Sequence, residues 1–288
     1  YVYVEAPAYT GAIDVFASRG AKMIAVPVDR DGLRVNTLLA LCDRFPPKLI
    51  YVTPSFQNPT GASLSAERRS RILDLAQSRN CLVLEDDATS DLYFGKAPPP
   101  AIKAMDAHGH VIYVKSFSKV LSPGCRVSAV VSSGTLLSRL VAAKTMADLG
   151  SPLIVQKALL PFFQGNRLEK HLARLRDAMR EKCAIALGTL RKHAPEGVTW
   201  TEPAGGMNLW VSLPARADAA EFAEMARKAG ISILPGAVCY SGEPEHHHFR
   251  LSFSFVDTGR LAEGMEKLCL LMHRFLESDR KASSGPVL

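Results

Sequence analysis

Residues 114–128 read VKSFSKVLSPGCRVS. Neither the alternation of a half-buried strand nor the stripe of an amphipathic helix describes this stretch. Ser116 and Ser118 flank Phe117, Lys119 precedes an apolar pair, and Arg126 follows after a Pro-Gly turn. Upstream lies VIYVKSFS (111–118), a Val/Ile-rich run of strand type that ends in these polar residues. The same design recurs in YVYVEAP (1–7), KMIAVPVD (22–29), KLIYVTPS (48–55), CLVLEDD (81–87) and VSAVVSS (127–133). Helical stretches lie between them: YTGAIDVFASRGA (9–21), VNTLLALCDRF (35–45) and SAERRSRILDLAQSRN (65–80), the last with Ser65 as its N-cap. Such alternation predicts an α/β fold, a mostly parallel sheet with crossover helices and polar groups gathered where strands end.

A second part begins at about residue 166. The periodic run NRLEKHLARLRDAMREKCAIALGTLRKH (166–193) reads as a linker helix. After it GGMNLWVSLP, GISILPG and HFRLSFSFV alternate with helices, the pattern of a smaller C-terminal α+β domain. The expected division is therefore 1–165, a large domain; 166–278, linker helix and small domain; and 279–288, a disordered tail.

The chain has 288 residues, 47% of them hydrophobic and 22% charged, which is ordinary for a globular protein. Its formal charge of +7 is scattered rather than blocked, so a dedicated nucleic-acid surface is not indicated. Six cysteines lie apart without a C-x-x-C pair, as expected of free buried thiols in a reducing cytoplasm. No apolar run reaches the ~18 residues of a membrane span, and no signal peptide opens the chain. YVYVEAPAY reads as a core strand from its first residue, which suggests a piece of a longer protein.

Four strand ends carry unusual chemistry: TPSFQNPTG, LEDDATSD, VKSFSK and HFRLSFS. No His joins a Ser or Cys in a recognisable order, which argues against a hydrolytic triad. A carboxylate at Asp86, an amine at Lys119 and a cation at Arg126 suit a pyridine cofactor with a phosphate tail. The carboxylate holds the ring nitrogen protonated, the lysine forms a Schiff base with the aldehyde, and serine and arginine donors grip the phosphate.

On these residues the chain resembles the fold-type I pyridoxal 5'-phosphate aminotransferases, from residue 1 to about 278. The motif S-x-S-K-x-x-x-P-G-x-R at 116–126 is a highly specific signature of that family. The resemblance implies Lys119 as the Schiff-base residue, with Ser116, Ser118 and Arg126 on the phosphate. It implies that Asn58, in NPTG (58–61), bonds the ring oxygen and the substrate carboxylate, with Pro59 a candidate for a cis peptide. Asp86 takes the pyridinium position, Tyr9 of EAPAY the stacking aromatic, and Arg250 the clamp on a substrate α-carboxylate. It also implies a homodimer with an amino acid or amine as substrate or effector.

Taken singly these residues are ordinary: Asp86 a strand-end residue, Tyr9 core, Arg250 a surface cation, NPTG a common turn. Their joint order along the chain is what distinguishes them. HHH at 246–248 lacks the partner spacing of a metal site and is expected in a solvated loop, so no metal is expected. The family places a Tyr two or three residues after the ring-nitrogen Asp, whereas Ala88 and Thr89 stand here. The residues that precede the stacking aromatic in the family, with a helix N-terminus for the phosphate, are absent.

Within the superfamily EDD…SDLYFG, IYVKSFSKVLSPG, EKHLARLRD and GGMNLWVSLP are most similar to MocR-type members of the GntR regulators. Those carry a winged helix-turn-helix ahead of an aminotransferase-like domain, so any DNA contact would run through an N-terminal part that this sequence does not contain. Three readings follow: an effector-sensing domain of a transcription regulator, a working aminotransferase acting on an α-amino acid and a 2-oxo acid, or a dimerisation module with a dead site. Intact Lys119 and Asp86 disfavour the last. The sequence upstream of residue 1 separates the first two: a domain-sized basic winged helix marks the regulator, a short arm the enzyme.

Overall fold

Valine, isoleucine and tyrosine fill the runs read above because branched and aromatic side chains pack well on a pleated, two-sided surface. In the computed structural model, which describes residues 1–283 and side chains as far as 278, these runs form the strands. In chain order the first part comprises β1 (Val2–Ala6), α1 (Thr10–Ser18), β2 (Met23–Asp29), β3 (Gly32–Leu33), α2 (Val35–Arg44), β4 (Leu49–Val52) and α3 (Ala66–Ser78). It continues with β5 (Leu82–Asp87), β6 (Val111–Ser116), β7 (Ser128–Val131), α4 (Gly134–Asp148) and α5 (Leu153–Phe163). Its sheet has the order β3-β2-β1-β4-β5-β6-β7. The pairs β1–β2, β1–β4, β4–β5 and β5–β6 are parallel, so the carboxyl ends of β1, β4, β5 and β6 share one edge.

Two departures from simple alternation lie at the sheet margins. β3 is a two-residue antiparallel addition to β2, too short to leave a pattern in the sequence. β7 runs antiparallel to β6 and is joined to it by residues 117–127 without a crossover α-helix, which antiparallel neighbours permit. That connection carries Lys119 and Arg126.

One face of the large sheet is covered by α2 and α3, whose Leu38, Ile72, Leu73, Leu75 and Ala76 pack on Tyr3, Ile50, Val52 and Val83. Ser65 caps α3 as expected, its hydroxyl accepting the Arg68 N–H at 3.2 Å. α4, which the sequence reading passed over, buries none of its described residues and so has no apolar stripe to detect.

The second part comprises α6 (Arg167–His193), β8 (Thr199–Trp200), β9 (Asn208–Ser212), α7 (Ala219–Lys228), β10 (Leu234–Pro235), β11 (His248–Ser252) and α8 (Thr258–Ser283). Its antiparallel sheet, β10-β11-β9-β8, packs against α6, α7 and α8 through Leu187, Leu209, Val211, Phe222, Phe249, Leu268 and Met272. α8 runs into the segment read as a tail; the side chains after 278 and all of residues 284–288 lie outside the described residues. No helix among the described residues is long and apolar enough to cross a membrane.

Candidate functional site

The shared edge of the parallel strands is where an open α/β sheet gathers its ligands, because backbone and side-chain polar groups diverge there. Tyr9 follows β1, Asn58 lies in the loop after β4, Asp86 stands near the end of β5, and Ser116 ends β6. Ser118, Lys119 and Arg126 belong to the β6–β7 connection. Arg250 arrives from β11 of the other sheet.

Asp86 is fixed by one side-chain hydrogen bond, from the Tyr51 hydroxyl to Oδ2 at 2.7 Å. Burial pushes its carboxyl above the ordinary value, against the pull of that bond, and neighbouring Asp87 adds to the rise. A cation beside Oδ1 would relieve both effects. Asp87 is held the other way: burial is outweighed by the Lys115 ammonium and by hydrogen bonds from Ser90 and Tyr113, and its carboxyl lies below the ordinary value.

The two lysines of the opening stretch are thereby distinguished. Lys115 Nζ is spent on Asp87 at 3.1 Å, Asp91 at 2.7 Å and the Ser90 hydroxyl at 2.8 Å. The Lys119 ammonium has neither hydrogen bond nor ion pair among the described residues and is exposed. Beside it Ser116 Oγ accepts the Ser118 N–H at 3.3 Å. Arg126 takes the left-handed backbone conformation, φ 51°, at the end of the short 3-10 turn Pro123–Cys125, and its guanidinium is exposed.

Asn58 precedes Pro59 through a cis peptide, as expected; Ala6–Pro7 is also cis, which the sequence reading did not raise. Asn58 Oδ1 accepts a hydrogen bond from Arg250 Nη1 at 3.0 Å, leaving its amide N–H groups for another acceptor. Arg250 Nε is buried without a partner. An orphaned guanidinium donor in a desolvated place suits an anionic partner. Tyr9 is 42% exposed, and its ring lies over Gly11, where a Cβ would meet it at 2.6 Å. A glycine at 11 is thus what lets the ring lie there.

The donor set fits a phosphorylated pyridine aldehyde: a free primary amine, a partly buried carboxylate in want of a cation, hydroxyls with a guanidinium, and an exposed ring. Sequence reasoning missed Tyr51, which bonds Asp86, and the buried residues Glu5, Thr53 and Gln57 behind it. Polar side chains in IYVTPS and VYVEAP, otherwise apolar runs, were the available signal. The residue at 89 departs from the family: Thr89 turns its hydroxyl to the Ser55 carbonyl at 3.1 Å.

His248 is not in a solvated loop as expected. It lies in β11, 8% exposed, with Nδ1 on the Ser212 hydroxyl at 2.8 Å, Nε2 on Glu245 at 2.6 Å, and its ring stacked on Trp210. Glu245, His247 and His248 bring their ligand atoms within 4.8 Å of one another, a grouping that the sequence reading did not make.

Residues 1–268 match the family described as aminotransferase class I and II. The chain is 36% identical over 270 residues to a 2-aminoadipate transaminase of Thermus thermophilus, covering 93% of this chain and 68% of that protein. It is 31% identical over 277 residues to the HTH-type transcriptional regulator YisV of Bacillus subtilis, covering 96% of this chain and 57% of the regulator. Relative to that regulator the chain spans little more than half the length. Among solved structures it is similar to LysN, the alpha-aminoadipate aminotransferase of Thermus thermophilus complexed with N-(5'-phosphopyridoxyl)-L-leucine. The TM-score is 0.91 at 34% identity, covering 96% of this chain and 72% of that one.

Proposed function

Since the chain belongs to the aminotransferase class I and II family, we propose that it is a pyridoxal 5'-phosphate domain that recognises an amino acid or amine as the effector of a MocR/GntR-type regulator. The observation that carries the recognition step is Arg250, held by Asn58 of the loop after β4 yet with Nε buried and unpaired. The regulator assignment is supported by the likeness to YisV and by Thr89.

When bound, pyridoxal phosphate supplies an aldehyde and an electron sink for the amino compound. Lys119 Nζ is the amine that would hold the cofactor covalently and carry a proton to or from the ligand's α-carbon. Asp86 Oδ1 would hold the proton on the ring nitrogen, and Tyr51 keeps that carboxylate oriented through Oδ2. Ser116, Ser118 and Arg126 would donate to the phosphate. The Asn58 amide would donate to the ring oxygen, Tyr9 would cover the ring, and Arg250 would receive the ligand carboxylate through its fork of N–H groups.

As in the sequence reading, the complete protein is proposed to be a cytoplasmic homodimer that contacts DNA only through a further N-terminal domain. The competing reading, an aminotransferase that turns over, is favoured by the 36% identity to a transaminase and opposed by Thr89. Titrating amino acids into the complete protein loaded with the cofactor tests the proposal. A prompt spectral change with negligible turnover supports it; no change with any amino compound, or no visible cofactor band, overturns it.

A further inference from the structure

Glu5 stands on β1 with no exposed surface. Its Oε2 accepts the Thr53 N–H at 3.1 Å and Gln57 Nε2 at 3.3 Å. Gln57 is itself pinned: Nε2 also donates to the Pro7 carbonyl at 2.7 Å, and Oε1 accepts from the Thr60 N–H at 2.9 Å and the Thr60 hydroxyl at 2.6 Å. The Glu5 carboxyl is thereby locked between the end of β4, the NPTG loop and the turn that leads to Tyr9.

Its other oxygen is the unusual one. Glu5 Oε1 is buried without a partner, and so is the Thr53 hydroxyl. That hydroxyl lies near both the Glu5 carboxyl and the Tyr51 hydroxyl and perturbs the titration of each. Tyr51 in turn donates to Asp86 Oδ2 at 2.7 Å. Burial pushes the Glu5 carboxyl up to about 8, against its hydrogen bonds from Thr53 and Gln57, so at neutral pH it is mostly the neutral acid.

A neutral carboxyl has one proton to donate. Two N–H donors already occupy Oε2, so that proton belongs on Oε1. Closed through Thr53, the chain would run from the Glu5 proton to the Thr53 hydroxyl, from Thr53 to Tyr51, and from Tyr51 to Asp86, the last of these bonds being formed already at 2.7 Å. Each hydroxyl gives once and accepts once, and the chain ends on the carboxylate that needs donors. A rotation of the Thr53 side chain within its buried setting would close it.

We propose that Glu5 is a positioning residue for Asp86, acting as a buried acid through the Thr53 and Tyr51 hydroxyls to hold the Asp86 carboxylate ionised and aimed at the cofactor ring nitrogen. The inference rests on the reading that the site takes pyridoxal phosphate. A purely structural Glu5 would do no more than staple the NPTG loop through Gln57, and the two roles separate at Thr53. Thr53→Val keeps the volume and the backbone N–H bond to Glu5 but removes the relay hydroxyl.

The experiment loads the complete protein with pyridoxal phosphate and follows the visible band of the bound cofactor against pH. Thr53→Val is expected to move the midpoint of that titration by about half a unit or more, roughly threefold in proton affinity, in the direction that Tyr51→Phe moves it. The Thr53→Val/Tyr51→Phe double variant is expected to shift no further than Tyr51→Phe alone, since the chain is already cut. Glu5→Gln, whose amide accepts and donates as the acid does, is expected to stay near the parent. Thr53→Ser, which restores the hydroxyl, serves if the valine variant does not fold; it is expected to match the parent, and Thr53→Ala to shift. A parent that shows no visible band defeats the cofactor reading itself. A normal parent band with an unmoved Thr53→Val titration, or additive shifts in the double variant, overturns the relay alone.

Discussion

Arg250 on β11 donates from Nη1 to Asn58 Oδ1 at 3.0 Å, joining the small sheet to the loop after β4 across 192 residues of chain. The bond uses one edge of the guanidinium and leaves Nε buried without a partner. A planar fork with an open donor in a desolvated place suits a carboxylate better than a lone ammonium would. Arg250→Ala is therefore expected to weaken binding of a cognate amino acid by ~2 to 4 kcal/mol while leaving cofactor affinity nearly unchanged. Arg250→Lys should recover only part of the loss. The check is a calorimetric titration with an amino acid and with its decarboxylated amine; equal affinity of the parent for both removes Arg250 from the role.

The pairing of Lys115 with Asp87 and Asp91 leaves Lys119 as the amine of this stretch with no partner among the described residues. Borohydride treatment of the loaded protein is expected to abolish its visible band and fix the cofactor to the peptide that contains Lys119. Mass spectrometry locates the label. Attachment at Lys115 would require breaking its ion pairs with Asp87 and Asp91, and finding it there would end the assignment.

What the sequence revealed of this site follows from where its determinants lie. β1, β4, β5 and β6 each end an apolar run with a polar group, so the strand ends that carry Tyr9, Asn58, Asp86 and Ser116 could be read one segment at a time. The supports behind them could not. Tyr51 meets Asp86 across 35 residues, and Glu5 meets Thr53 across 48, through the pairing of neighbouring strands rather than through any local pattern. α4 escaped for a different reason, since an element that buries nothing among the described residues has no periodicity to detect. His248 was misread because a run of three histidines looks solvated until β11 turns one of them inward against Trp210.

Asp106 gives the large domain a test in acid. Its side chain is fully buried and accepts hydrogen bonds from Lys103 Nζ at 2.8 Å and from the N–H groups of Gly109, His110 and Val111 at 2.9, 3.0 and 2.9 Å. Burial would raise its carboxyl; these donors outweigh that and hold it at about 2, below the ordinary 3.8. A depressed carboxylate stabilises the fold above the unfolded value, and the contribution disappears as pH falls from about 4 toward 2. Asp106→Asn is expected to cost roughly 2 kcal/mol at neutral pH and to flatten the stability curve across that acid window. Denaturant midpoints at pH 7, 4 and 2.5 measure both; a variant that loses stability in parallel with the parent at every pH would show that the charge is not responsible.

Sensing and turnover make different demands on the same residues. On the proposed reading, capturing an amino compound draws on the amine of Lys119, the carboxylate of Asp86 and the guanidinium of Arg250. Turnover further requires Lys119 to carry a proton at the α-carbon and the ring oxygen to be held so that the cofactor's nitrogen titrates near the working pH. In the family a tyrosine hydroxyl near position 89 does the holding. Here Thr89 is shorter and spends its hydroxyl on the Ser55 carbonyl, so on the proposed reading Asn58 alone would bond the ring oxygen. A cognate amino compound is accordingly expected to shift the cofactor spectrum within the mixing time, with steady-state transamination far below the ~10 per second of a median enzyme. Thr89→Tyr should move the pH midpoint of the visible band downward, because a phenol donor to the ring oxygen favours the deprotonated neighbour, and should raise the slow rate. Transamination by the parent near the median rate, with a simple pair of amino acid and 2-oxo acid, would make this an aminotransferase and reduce Thr89 to a tolerated substitution.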